Sequence, residues 1–377
     1  AEGAGTIEAR EVLERAINED ATAMRHPGIL HLYVHLMEMS PVPEVALKAG
    51  DVLRTLVPDA GHLIHMPTHI DIQCGHYHNV LVDNQRGIEA DRKYYDKVGA
   101  LNFYSAYRLH NYHFAIYGAM YLGQFEPALA AAEELIETTP EELLRLPSPP
   151  MADFIESYLS MKQHVYIRFG KWQEIIAQEL PDDTELYCYT IASIHYAKGV
   201  AHAALGEVDK AEEQRALFQA AREKVPDSRL LHTNTCVDLL AIAEQMLDGE
   251  IEYRKQNYDV AFNHLRRAVE LDDGLNYDEP WGWIQPARHA LGALLLEQGR
   301  VEEAEAVYRE DLGLGGNLSR ATIHPDNVWS LQGLHECLSR KPETAELRLI
   351  KQRLDLAIAR ADGPVNASCF CAQAATG

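Results

Sequence analysis

Basic residues are in short supply. Lysine and arginine number 34 against 57 aspartates and glutamates, a formal net charge of −23. That balance repels phosphate backbones and excludes nucleic acid as an expected partner. It is also what solvated, glutamate-rich helix faces produce. No apolar run comes near the roughly 18 residues that a membrane-spanning helix needs, so no membrane partner is expected. Cysteine is sparse too. Cys74, Cys188, Cys236, Cys337, Cys369 and Cys371 lack the density of a disulfide scaffold, and most sit in helical patterns where the thiol acts as a small hydrophobe. No signal-peptide pattern opens the chain, which starts on the small and polar stretch Ala1-Glu2-Gly3-Ala4-Gly5; a reducing cytoplasm is the expected compartment.

What remains is almost entirely helical pattern. Apolar residues recur at helical spacing between short Gly, Asn or Pro turns, and strand-like alternation is scarce. Three interruptions share one form: Leu122-Gly-Gln-Phe-Glu-Pro-Ala128, Leu205-Gly-Glu-Val-Asp-Lys-Ala211 and Gln298-Gly-Arg-Val-Glu-Glu-Ala304. Each reads as small turn, polar residue, bulky residue, acid, alanine.

Histidine is the other feature. His31-Leu-Tyr-Val-His35-Leu-Met-Glu38, His62-Leu-Ile-His65-Met-Pro-Thr-His69 and His110-Asn-Tyr-His113 space their imidazoles by three, four or seven residues. Those spacings stack side chains on one face of a helix. Pro67 falls inside the second stretch, where it removes a backbone hydrogen bond and is expected to kink or restart the helix between His65 and His69. His195, His202, His264 and His335 are expected as ordinary hydrogen-bonded histidines, His76 and His78 as turn residues, and His26 as an outer partner of the site.

The shared turn resembles the inter-helix turn of tetratricopeptide (TPR) repeats, and the likeness runs over almost the whole chain. It implies an all-α, right-handed solenoid of TPR-like helix hairpins over residues 1–377, with a His-rich groove at 26–121, later repeats at 150–360 and a cysteine-containing tail at 361–377. It puts Gly199, Gly292 and Gly333 at the small first-helix position. Ala46, Ala128, Ala211, Ala261, Ala304 and Ala345 take the small second-helix position. The turns at Gly75, Gly123, Gly170 and Gly206 lie about 36 to 48 residues apart, against about 34 in the ideal repeat. The stretch from Ile7 to Ile17 reads as a second helix without its first, so upstream repeats, a second copy of the chain or a protein partner are expected at that end. The motifs His26-Pro-Gly…His31…His35…Glu38…Ser40 and Gly61-His62…His65-Met-Pro…His69-Ile70, with Trp281-Gly-Trp-Ile-Gln-Pro286 and Cys369-Phe-Cys371, are similar to a group of bacterial and fungal TPR proteins.

In that family the first helix of each repeat lines a concave wall. The register implies that His31, His35 and Glu38, then His62, His65 and His69, then His110, His113 and Tyr117 all face it, followed by His164 and Arg168. Tyr121, Tyr196 and His289 take the same kind of position. Imidazoles converging from adjacent helices suit a transition metal, copper, iron or zinc, held by His31, His35, His62, His65, His69, His110 and His113. The expected function is a metal-dependent oxidoreductase acting on a small, aromatic-type molecule, with Glu38 as ligand or base and Tyr117 and Arg168 orienting the substrate. Three alternatives stand beside it. One is a zinc-dependent hydrolase, and one is a TPR adaptor that grips a peptide. The last is metal storage or delivery through the Cys369-x-Cys371 tail, a soft ligand pair for Cu(I) or zinc, although one Cys-x-Cys is weak evidence and reads first as a plain buried or disordered tail.

Overall fold

The computed structural model describes residues 4–373. The protein is all-α, about 70% helical with almost no strands. The N-terminal part consists of α1 (Thr6–Glu19), α2 (Pro27–Glu38), α3 (Leu47–Leu56), α4 (Gly61–His65), α5 (Thr68–Gln73), α6 (Tyr77–Val98), α7 (Tyr104–Leu122) and α8 (Phe125–Glu137). Further on, helices pair across short turns: Cys188–Ala204 with Val208–Arg222, Cys236–Arg254 with Tyr258–Asp273, Ala287–Glu297 with Val301–Asp311, and Val328–Ser339 with Ala345–Ile358.

The three shared turns do join helix pairs. Gly123, Gly206 and Gly299 adopt φ of 73°, 79° and 72°, the left-handed conformation that ends a helix and that a side chain disfavours. Close approach explains the small residues. A Cβ on Gly199 would lie 2.8 Å from Leu247 Cδ1, and one on Gly333 would land in the Tyr308 ring. Ala46, Ala128, Ala211, Ala261 and Ala304 are fully buried. Ala345 departs from the pattern: it is exposed, at the first position of its helix.

Apolar burial divides into an N-terminal cluster around Leu30, Val34 and Met66, a large central one and a C-terminal one around Trp329 and Tyr308. The last third of the chain comes back to the first. Trp329 Nε1 donates to Met120 O at 2.7 Å, and the Asp362 carboxylate accepts from the backbone N–H groups of Phe125 and Glu126 at 2.8 and 2.9 Å. Gln73 Nε2 reaches Glu279 Oε1 at 2.9 Å. An open one-dimensional array touches only its neighbours; these contacts join segments more than 200 residues apart. Arg229 and His232 lie mid-chain, and Asp278 of the returning third accepts from His232 Nδ1 at 2.8 Å. Their neighbourhood includes a small antiparallel hairpin of β1 (Leu230–Leu231) and β2 (Asn234–Thr235), with Leu231 opposite Asn234.

Two buried polar knots stiffen the frame. Asp311 accepts from His289 Nε2 (3.0 Å), His324 Nδ1 (2.8 Å), Asn327 Nδ2 (2.9 Å) and Ser330 Oγ (2.6 Å). Arg54 on α3 binds Asp71 on α5 at 3.1 Å and also pairs with Asp83 on α6, fixing the helix that carries His69. The Cys369 and Cys371 sulfurs are joined to each other, so neither is free as a thiolate ligand. Ser368 ties that tail down: its carbonyl accepts from Arg168 at 2.9 Å, and its hydroxyl lies 2.7 Å from Tyr308 OH. Residues 374–377 of the expected tail segment lie outside the described residues.

Candidate metal centre

Three structural devices bring the histidines together. First, α2 starts on Pro27, with His26 as its cap: His26 Nδ1 accepts from Ile29 N at 3.3 Å. That fixes the helix bearing His31 and His35. It also gives His26 a capping role in place of the expected outer-partner role. Second, Pro67 divides the next helical stretch into α4 and α5. Thr68 Oγ1 donates to His65 O at 2.6 Å at the break, satisfying a carbonyl whose helical donor, His69 N, bonds Met66 O instead. His65 and His69 then meet edge to face, with ring centroids 4.7 Å apart and the two Nε2 atoms 2.8 Å apart. Third, α7 packs on α4 and carries His110 to within 4.7 Å of the His65 ring. Phe114, fully buried one turn along α7, touches all three rings with centroids 4.5–4.9 Å away and forms an apolar floor.

One nitrogen each of His65, His69 and His110 lies within 4.8 Å of the others. Their orientation follows from the outer edges. Asn84 Nδ2 donates to Val80 O (2.7 Å) and Thr68 Oγ1 (3.1 Å), so its Oδ1 accepts the Nδ1 proton of His65 at 2.8 Å. The His65 Nε2 lone pair therefore points inward. His232 Nδ1 donates to Asp278 Oδ1 at 2.8 Å, leaving its Nε2 to accept from His110 Nδ1 at 3.1 Å; His110 Nε2 is the inward atom. His69 Nδ1 faces Glu38 Oε2 at 2.9 Å and also Glu279 Oε2. These are ion-pair contacts, for neither oxygen is aligned as a hydrogen-bond partner. All three rings thus have their outer nitrogen turned to an acceptor, the arrangement that orients metal-binding imidazoles.

The second group, His31, His35 and His62, adjoins the first, with His31 Nε2 and His62 Nε2 3.1 Å apart. Glu38 links the two: Oε1 accepts from His35 Nδ1 at 3.2 Å while Oε2 faces His69. His35 is exposed, His31 and His62 are half-buried, and His65 and His69 are buried, so the cluster runs from solvent into the core.

Electrostatics keep most of these rings neutral, the form that binds metal ions. Burial, reinforced by neighbouring histidines, lowers His65 and His110 well below the ordinary range and His62 to about 3. For His69, burial opposes the charge, but Glu38 and Glu279 outweigh it and raise the ring to about 10. Burial likewise opposes ionisation of Glu38, and His69 and His35 outweigh it, holding the carboxyl at about 2. At neutral pH His69 therefore carries the positive charge beside Glu38, and its proton leaves when the ring binds a metal ion.

Of the residues expected from sequence, His31, His35, Glu38, His62, His65, His69 and His110 come together. His113 does not join a ligand group: it is buried, both its nitrogens lack a partner, and its ring contacts are Tyr158 and His232. Tyr117 stacks on Tyr121 at 4.1 Å and contacts Tyr77. Arg168 is spent on Ser368 O and on the Trp329 face, 4.7 Å away. His195, His202 and His264 are hydrogen-bonded to Gln214, Glu207 and Gln245 as expected of ordinary histidines. Sequence reasoning missed Asn84, His232, Asp278 and Glu279. His232 carries the one signal the backbone adds, a φ of 50° at the hairpin tip, uncommon for a residue with a side chain.

Compared with protein-family models and with curated proteins, the chain matches none. Among the described residues no helix is long and apolar enough to cross a membrane.

Proposed function

We propose that the protein is a metal-dependent oxidoreductase built on a right-handed solenoid of TPR-like hairpins, acting on a small, aromatic-type molecule. The observation that carries this reading is the inner triad, in which one nitrogen each of His65, His69 and His110 lies within 4.8 Å of the others while the outer nitrogens face acceptors. Imidazole ligands beside carboxylates suit copper, iron or zinc. A redox ion there would supply one-electron chemistry and polarise a bound substrate. The chain's own part is to orient the rings, exclude water with Phe114 and hold negative charge at Glu38. Burial of the cluster and the return of the C-terminal third favour this over a peptide-gripping adaptor, which needs an open groove.

The test begins with elemental analysis of the purified protein, expected to find near-stoichiometric copper, iron or zinc. Metal at the inner triad is expected to be lost in His65→Ala/His110→Ala, seen as a drop in metal per chain with helicity retained. Oxygen uptake with a panel of phenols and catechols then tests the reaction. A zinc protein that consumes no oxygen but cleaves esters or amides moves the reading to a hydrolase with Glu38 as base. A metal-free, folded protein that binds none of the three ions refutes it.

A further inference from the structure

The inner triad leaves three of the clustered histidines unused, and they are not scattered. His31 and His35 stand one turn apart on α2, with ring centroids at 4.7 Å, and His62 at the start of α4 closes on His31 to a centroid distance of 5.1 Å. One nitrogen from each lies within 4.8 Å of the other two, and no residue is shared with the inner triad. His35 has its Nδ1 engaged by Glu38 Oε1, which leaves Nε2 as its free nitrogen. His31 and His62 already turn their Nε2 atoms toward one another at 3.1 Å. An edge-on pair of ring nitrogens at that distance needs a proton or a cation between them, because two lone pairs facing each other repel.

The two triads are neighbours. The His35 and His69 ring centroids are 5.5 Å apart and those of His62 and His65 5.8 Å apart. Glu38 spans the gap, one oxygen toward His35 of the outer group and the other toward His69 of the inner group. Its carboxylate supplies negative charge at the midpoint of a site that would otherwise gather two cations among neutral ligands. The helical spacings explain how one short sequence builds both groups. His31 and His35 are four residues apart on α2, and His62 and His65 stand three apart on α4, so His62 serves the outer group and His65 the inner one, with His69 joining from α5 beyond the break at Pro67.

We infer that the protein binds two transition-metal ions side by side, the second held by His31, His35 and His62 at the solvent end of the cluster, with Glu38 between the two sites. This rests on the metal reading of the inner triad. A pair of redox ions would let one substrate give up two electrons in one encounter, whereas a single ion accepts one at a time. The outer site, being half-exposed, is the side from which a substrate reaches the pair.

The experiment is metal stoichiometry on the full chain. Protein stripped with a chelator is dialysed against excess Cu(II), and separately against Zn(II), then desalted and analysed for bound metal. Wild type is expected to hold two ions per chain and His31→Ala/His62→Ala one, with unchanged helicity since both side chains are partly exposed. With copper, the double variant should give the full paramagnetic signal of an isolated ion, and wild type a lower signal per copper because neighbouring spins couple. One ion per chain in wild type, or two in the double variant, overturns the two-ion inference while leaving the inner site standing. No ion in any form overturns both.

Discussion

Asn84 is the sharpest place to test whether the inner triad is a ligand set, because it touches His65 and never the ion. It is fully buried; Oδ1 accepts from His65 Nδ1 at 2.8 Å, and Nδ2 donates to Thr68 Oγ1 and Val80 O. In Asn84→Leu the packing volume stays similar, but the His65 Nδ1 proton faces apolar carbon. The ring can then move that proton to Nε2 and point an N–H, not a lone pair, at the site. Loss of such an outer partner lowers metal affinity by about 10- to 100-fold, which is about 1.4–2.7 kcal/mol of metal-linked stability. The metal-free protein should also lose about 1–3 kcal/mol for the buried unpaired donor. Thr68 and Val80 add little, since Thr68 Oγ1 still donates to His65 O and Val80 O keeps its place in α6. The two effects separate in thermal melts with and without Zn(II) or Cu(II), together with chelator competition for the affinity. Asn84→Asp keeps an acceptor at the same place and should bind metal within a fewfold of wild type. If Asn84→Leu binds as tightly as wild type, the tautomer argument is wrong and His65 is not a ligand held from behind.

Asp278→Leu removes the carboxylate behind His232, one step further from the site, and should lower metal affinity by about tenfold, the lower end of that range, in the same chelator titration. Asp311→Asn leaves four buried donors facing a neutral amide and should cost about 3–5 kcal/mol in urea denaturation. Burial opposes ionisation of Asp311, but His289 and His324 outweigh it and hold the carboxyl well below its ordinary range. Its contribution is therefore fully present above about pH 3.9 and lost as pH falls through the lower folded value. The gap between wild type and Asp311→Asn should narrow only below that pH; a gap that closes near pH 6 would mean another group carries it. Gly333→Ala places a methyl in the Tyr308 ring, which its hydrogen bond to Ser368 holds in place. An overpacking loss of about 1–3 kcal/mol should appear as a lowered melting temperature.

How much of this was readable beforehand depends on sequence distance. The turn glycines were legible because a left-handed residue between two helices leaves a local mark, and Gly123, Gly206 and Gly299 carry it. That six of the seven expected histidines come together was legible for a related reason: helical spacing fixes which side chains share a face, and three such faces lie within about 80 residues. His113 was not, because α7 rotates past the site within one turn. His110 looks at His65, while His113 looks at Tyr158 and His232. Tyr117 and Arg168 failed for the same geometric cause, since a register assigns a face but not the point on a curving wall where that face looks. The outer partners were out of reach altogether. His232 lies 122 residues from His110, and Glu279 lies 206 from Gln73; neither sits in a periodic pattern. An array in which only neighbours touch has no means of bringing them to the site. Glu279 arrives with the C-terminal third, which the Trp329–Met120 and Asp362–Phe125 contacts hold against the first, and His232, from the middle of the chain, is tied to that third through Asp278. The clustering of these histidines is thus set by local helical periodicity, and their orientation by long-range closure. A truncation that kept residues 26–121 alone would keep the seven clustered residues and lose the Asp278–His232 anchor of His110 and the Glu279 anchor of His69.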